Sequence, residues 1–299
     1  MTVSLGDAIA EATARLAASG VESPRRDARL LAALASGLDA AQVAAYPERA
    51  LDPTVRQAFE RLVARRMARE PVSRLVGRRE FWSLEFGLCA DTLDPRPDSE
   101  TLVAAALAQI PDRAAPLRLL DLGTGTGCLL LALLSELPNA SGVGTDLAPG
   151  AARQARRNAA AIGLESRAFF AVGAWAAAIG RGFDVVLANP PYVPSAAIAG
   201  LEPEVARFEP RAALDGGGDG LQAYRDIAPD LARLIAPGGF AVIEVGFGQA
   251  GAAAEIMLAQ GLDETARHRD FAGIERCLVM ARAKKPVGMR ALPARVVLT

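Results

Sequence analysis

Past Pro116 the chain alternates short apolar runs with helical stretches, and few folds accommodate that rhythm. The runs cover 117–122, 142–146, 168–172, 183–188 and 240–245. Such alternation predicts a mostly parallel sheet covered by helices. In that architecture ligands bind beyond the carboxyl ends of the strands, where the chain turns into the helices. Two unusual segments fall at such ends. One is the glycine-rich turn from Asp121 to Gly127, and the other is Asn189-Pro190-Pro191-Tyr192. A further apolar run, 276–280, is expected as an edge strand.

The first part of the chain reads differently. From Leu5 to Glu70 apolar residues recur at three- and four-residue intervals, with Leu16, Leu30, Leu31 and Leu34 among them, which predicts a small helical bundle. Ser23-Pro24 and Asp52-Pro53 have the form of helix starts, a capping side chain followed by a residue suited to the first turn. Pro71 is expected to close the last of these helices. The alternation from Arg79 to Phe86 predicts a short hairpin. The expected division is therefore a helical domain over 1–78, a hairpin linker over 79–97, an α/β domain over 98–283 and a basic tail over 284–299.

Composition removes several classes of function. With 299 residues, 51% of them hydrophobic, the chain can bury a full core. A formal net charge of -1 gives no bulk attraction to nucleic acid. Cys89, Cys128 and Cys277 lack the paired spacing of a zinc site or a disulfide framework, which fits a reducing cytoplasm. Asp7 and Glu11 interrupt the first sixteen residues, so no signal peptide is expected, and no apolar run reaches membrane-spanning length. His268 is the sole histidine, which rules out a multi-histidine metal site and leaves a serine triad dependent on one residue. The phosphate-binding loop of NTPases ends in Lys-Ser/Thr, which is missing here.

The glycine turn suits a nucleoside-type cofactor. Gly123, Gly125 and Gly127 remove side chains where the backbone must bend and approach a ligand, with Thr124 and Thr126 between them and a helix following. The dinucleotide fingerprint fails, because Cys128 or Leu130 stands where its third glycine belongs. Asp146 ends the next strand at the separation expected of a carboxylate that receives ribose hydroxyls. An ordinary strand-to-helix turn with Asp146 as a helix cap is the alternative. Asp121 has two readings as well: it binds the turn's own amides, or it faces a cationic cofactor end.

Asn189 to Tyr192 suits methylation of a planar amide or amine nitrogen. An amide nitrogen is a poor nucleophile because its lone pair is delocalised, so its two N–H groups must be held and aimed. The Asn189 side-chain oxygen and the Pro190 carbonyl can accept those hydrogens, while proline rigidity fixes the second acceptor. Tyr192 can pack on a planar group. The structural alternative is a proline-rich turn that only ends a strand.

These segments resemble the peptide chain release factor glutamine methyltransferases, the PrmC or HemK family. The resemblance rests on Ser23 to Ala28, Arg79 to Trp82, Pro95 to Glu100, Asp121 to Gly127, Asn189 to Tyr192, and Phe208-Glu209-Pro210 followed by Asp219-Gly220-Leu221. It implies a class I S-adenosylmethionine-dependent methyltransferase, Rossmann-like with a mostly parallel seven-stranded sheet, behind a helical domain that docks the substrate. The implied reaction places a methyl group on the side-chain nitrogen of the glutamine in the Gly-Gly-Gln loop of translation release factors. By position, Asp121 and Gly123 to Gly127 would hold S-adenosylmethionine, Asp146 its ribose and Trp175 its adenine, with Asn189 beside its reactive end. Asn189, Pro190, Pro191 and Tyr192 would grip the glutamine, and Arg96 would close the site. A cytoplasmic monomer without metal, membrane contact or direct nucleic-acid binding is expected. Two positions depart from the family pattern: Ala174 stands where an acid often precedes the tryptophan, and Asp94 replaces an apolar residue before Pro95. Methylation of the adenine amino group in DNA or RNA, and of a glutamine in a ribosomal protein, are the competing expectations.

Overall fold

The computed structural model describes residues 3–177 and 179–283, so the expected basic tail lies outside the described residues. The helical region comprises α1 (Leu5–Ala18), α2 (Pro24–Ser36), α3 (Ala40–Ala45), α4 (Pro53–Met67) and α5 (Val72–Val76). Leu5, Leu16, Leu31, Phe59 and Val63 form its core, while Leu30 and Leu34 fall on the outer side of α2. Asp52 caps α4 by accepting from the Thr54 amide. Ser23 makes no such side-chain bond, and α2 begins on Pro24, whose fixed φ already suits a first turn. Pro71 does not end the bundle. It precedes α5, because a proline that cannot continue one helix is well placed to start another.

A hairpin of β1 (Arg78–Phe81) and β2 (Leu84–Gly87) follows. Its two turn residues, Trp82 and Ser83, have φ of 53° and 57°, a left-handed conformation unusual for such side chains. Tertiary contacts hold it there. The Glu100 carboxylate accepts from the Trp82 amide at 2.8 Å, and Glu136 accepts from the indole N–H at 2.9 Å. Phe81 and Phe86 pack edge to face, 6.3 Å apart, within the core on one face of the main sheet.

That sheet contains β3 (Arg118–Leu122), β4 (Ser141–Asp146), β5 (Ala168–Val172), β6 (Phe183–Ala188), β7 (Ile235–Glu244), β8 (Leu262–Arg269) and β9 (Glu275–Arg282). The order is β5-β4-β3-β6-β7-β9-β8. The first five are parallel, and β9 runs antiparallel to both β7 and β8. The connecting helices are α6 (Glu100–Gln109), α7 (Cys128–Glu136), α8 (Pro149–Ile162), the short α9 (Pro203–Ala206), α10 (Gln222–Leu234) and α11 (Ala250–Leu258). Strand residues alternate between faces: Leu119, Val185 and Val242 meet α6, α7 and α8, whereas Leu120, Val186 and Ile243 meet α10 and α11.

The run 276–280 is not an edge strand. Cys277 to Met280 are fully buried because β9 lies between β7 and β8. The true edge is β8, which was not foreseen from the sequence. Its Asp263, Thr265, Arg267 and Arg269 face solvent, so it lacks a continuous apolar signal, and charged outward residues suit an edge that must resist pairing. Strand order reverses between β3 and β6, which opens a crevice beyond their carboxyl ends.

Candidate active site

The glycine turn leaves β3 at that crevice. Gly123, Gly125 and Gly127 have φ of 74°, 54° and 82°, so each occupies a conformation that side chains rarely adopt. Thr145 binds the turn to β4 by accepting from the Gly123 and Thr124 amides at 2.9 and 2.8 Å. Gly123, Thr124, Gly125 and Thr126 line a cavity of about 340 Å³. Gly127 is outside that lining. It precedes α7, and a Cβ there would press on Ala155 and Leu131 at 3.2 Å, so its role is packing.

Asp146 does line the cavity. Its two oxygens accept from the amides of Gly125 at 2.8 Å and Ala148 at 2.9 Å, so it ties the turn and also begins the chain into α8. Each oxygen keeps a second lone pair for a hydroxyl donor. The ribose reading fits this geometry, whereas α8 starts from Ala148 with no side-chain cap, so Asp146 does not cap that helix. Burial raises the pKa of this group above the ordinary carboxylate value.

Asp121 is buried and does not line the cavity. It accepts from the Thr124 hydroxyl at 2.6 Å, while its other oxygen has no hydrogen-bond partner. The turn-binding reading holds only in altered form, because a side-chain hydroxyl stands where the turn's amides were expected. Burial raises its pKa to about 7 from an ordinary 3.8. The folded protein therefore holds this proton where the unfolded chain has lost it, and stability falls as pH rises from about 4 to about 7. Asp121→Asn should flatten that part of the pH dependence, measured as urea midpoints at pH 5 and pH 8. An unchanged slope would contradict a buried, raised Asp121.

Trp175 and Leu147 supply apolar walls. Trp175 is held at φ 46°, and its ring lies 3.4 Å from where a Cβ on Gly123 would stand. Leu147, which directly follows Asp146, is 70% exposed and lines the same cavity. Ala174 is there too, without the acid that the family pattern led one to expect. Among the cavity's side chains the carboxylates are Asp91 and Asp146, and the cation is Arg96. Arg96 is already engaged, because it donates to Glu209 at 3.1 Å. This donor set fits a flat nucleoside that carries no phosphate.

Glu209 anchors Arg96, the cation of the cavity lining, from behind. Its buried carboxylate accepts from Arg74, Arg96 and the Asp94 amide. Asp94, the atypical residue before Pro95, accepts in turn from Ser73 at 2.6 Å. Arg66 is buried against Asp27 at 2.8 Å and Glu204 at 2.9 Å, which joins the helical region to the segment following β6.

Asn189 and Pro191 line the cavity from the end of β6. The Asn189 amino group donates to Ser99 Oγ at 3.1 Å, and among the described residues no protein donor reaches its oxygen. Pro190 and Tyr192 are not in the cavity wall. Pro190 is buried, and Tyr192 is half-buried with its hydroxyl donating to Glu244 at 3.1 Å. The aromatic face is thus tethered inward, away from the lining assigned to Asn189 and Pro191. Ser99 and Glu244 were missed as site residues. The available signal was a lone carboxylate at the end of the otherwise apolar run 240–245. Burial pushes that carboxyl up to about 7. Among the described residues no helix is long and apolar enough to cross a membrane, and no acidic, histidine or cysteine cluster could hold a metal.

Comparison with known proteins adds sequence relatives to this geometry. The family described as "PrmC N-terminal domain" matches residues 7–77, and that described as "Methyltransferase small domain" matches residues 90–202. A release factor glutamine methyltransferase of Rhodospirillum rubrum is 54% identical over 268 residues, covering 90% of this chain and 82% of that protein. One from Cereibacter sphaeroides is 44% identical over 276 residues, covering 92% and 97%. A methyltransferase structure from Pyrococcus furiosus, 14% identical, covers 71% of this chain and 94% of its own with a TM-score of 0.50, a likeness of fold alone.

Proposed function

The chain belongs to the release factor glutamine methyltransferases, and from that premise we propose how its cleft methylates the side-chain nitrogen of the Gly-Gly-Gln glutamine in translation release factors. S-adenosylmethionine, when bound, supplies an electrophilic methyl carbon on a sulfonium. The Gly123 to Thr126 turn, Asp146, Leu147 and Trp175 would hold it. Asp146 would accept ribose hydroxyls with its remaining lone pairs, and the indole and leucine would flank the base.

The single observation that carries the proposal is the unpartnered Asn189 oxygen on the cavity wall beside the glycine turn. It would accept one N–H of the substrate amide; the other is assigned to the Pro190 carbonyl, and because Pro190 lies outside the cavity lining the amide must reach past the wall to meet it. Holding both hydrogens aims the nitrogen along one direction and binds the transition state more tightly as positive charge develops there. Fixing the two reactants at near-attack distance can supply about 7 to 11 kcal/mol of the barrier. No general base is required, because the methylated nitrogen loses its proton readily to water. The helical region, joined to the segment after β6 through Arg66, Arg69 and Glu204, would frame the side on which the release factor approaches.

Incubation with methyl-labelled S-adenosylmethionine tests this directly. Intact release factor should take label, and its Gly-Gly-Gln variant with alanine for glutamine should take none. Ribosomal proteins and DNA should also remain unlabelled. Label on DNA or on a ribosomal protein, with none on release factor, would overturn the assignment.

A further inference from the structure

The direction of one buried hydrogen-bond chain decides which end of the Asn189 amide meets the substrate. Ser99 Oγ lies 2.5 Å from Glu244 Oε2 and 3.1 Å from Asn189 Nδ2. Ser99 has one hydroxyl proton, and above its raised pKa of about 7 the Glu244 carboxylate is ionised and can only accept. That proton is therefore committed to Glu244. The serine oxygen must then accept from Asn189, which turns the amino group into the wall and leaves the amide oxygen to the cavity. Tyr192 occupies the other carboxylate oxygen as a donor at 3.1 Å.

We propose that Glu244 is a positioning residue: acting through Ser99, it orients the Asn189 amide so that an acceptor faces the substrate nitrogen. Only 1% of Glu244 is exposed and it is absent from the cavity lining, so its action is indirect. The inference rests on the methyl-transfer reading above. It makes a distinctive prediction for the isosteric variant Glu244→Gln. The Tyr192 hydroxyl donates to no other group among the described residues, so it claims the glutamine carbonyl. The glutamine amino group then donates to Ser99. Ser99 in turn sends its proton to the Asn189 oxygen, and the Asn189 amino group swings toward the cavity. Two amino groups then oppose each other at the reaction centre.

At pH 8, Glu244→Gln should lower kcat at least tenfold while cofactor affinity stays within about twofold. The double variant Ser99→Ala/Glu244→Gln should be several-fold faster than Glu244→Gln alone, because Asn189 is then free to turn its oxygen back. A residue that mattered only for folding would give a double variant no better than the single one. A wild-type rate in Glu244→Gln, or a double variant no faster than the single, would each overturn the proposal.

A second measurement covers poor folding of the variant. In wild-type protein without substrate at pH 8, where Glu244 is ionised, NMR should show one slowly exchanging side-chain N–H proton on Asn189, the one donated to Ser99. Rapid exchange of both protons would also refute the orientation. If the wild type fails to label release factor, the reaction assignment falls, and the exchange measurement still decides the orientation on its own.

Discussion

Asn189→Ala is expected to reduce kcat for release-factor methylation by about 10²- to 10³-fold and to leave cofactor affinity within about twofold. Losing one preorganised polar group at a reaction centre typically costs that much. The affinity should survive because the expected cofactor contacts lie elsewhere, on the glycine turn, Asp146, Leu147 and Trp175, whose backbone and side chains do not hydrogen-bond to Asn189. The fold should survive too. The substitution removes only one bond of 3.1 Å to Ser99, and Ser99 retains Glu244 as its acceptor. Titration calorimetry with S-adenosylmethionine and single-turnover labelling of release factor separate the two quantities. Near-normal turnover would remove Asn189 from the mechanism. Equal loss of binding and turnover would make it chiefly a cofactor contact.

Much of this arrangement was legible because its signals are local. Glycines spaced by threonines after an apolar strand announce a tight turn, and the structure gives all three positive φ. The same spacing did not distinguish their tasks. Gly123 and Gly125 border the cavity while Gly127 makes room for Ala155 and Leu131, a distinction that depends on how α7 and α8 pack. Asp146 announced itself by its place at a strand end, whereas the fate of Asp121 depended on burial. What stayed hidden was non-local. Ser99 and Asn189 are 90 positions apart, and Ser99 and Glu244 are 145 apart, so no periodicity relates them. β8 was hidden for another reason: only one of its faces packs inward, and its outward charges resemble those of a loop or an exposed helix. The helical region was readable from its spacing. Its attachment through Arg66 to Glu204 was not, since a buried arginine and a solvated one look alike in sequence.

Gly220→Ala should lower kcat about a hundredfold while shifting the melting temperature by only a few degrees. Gly220 lies in the segment Asp219-Gly220-Leu221, far along the chain from Tyr192, yet a Cβ at this position would stand 2.4 Å from the Tyr192 carbonyl oxygen and 2.6 Å from Gln249 Nε2. Its φ of 76° is a further obstacle, because a side chain there is strained whatever the space. Gln249 cannot yield without consequence, since its amino group donates to that same carbonyl at 2.9 Å. The easier relief is for the backbone at Tyr192 to move, and it is directly continuous with Pro190 and Pro191. A displacement of about 1 Å in groups that aim a nucleophile can cost about 10² in rate. Gly218→Ala provides the control on the same loop, because a Cβ there would meet nothing within 4 Å and its φ is not in the left-handed range. Steady-state rates for the two variants, read beside their melting curves, therefore test whether this loop buttresses the Asn189 to Tyr192 backbone. Full activity in Gly220→Ala, or an equal loss in Gly218→Ala, would show that it does not.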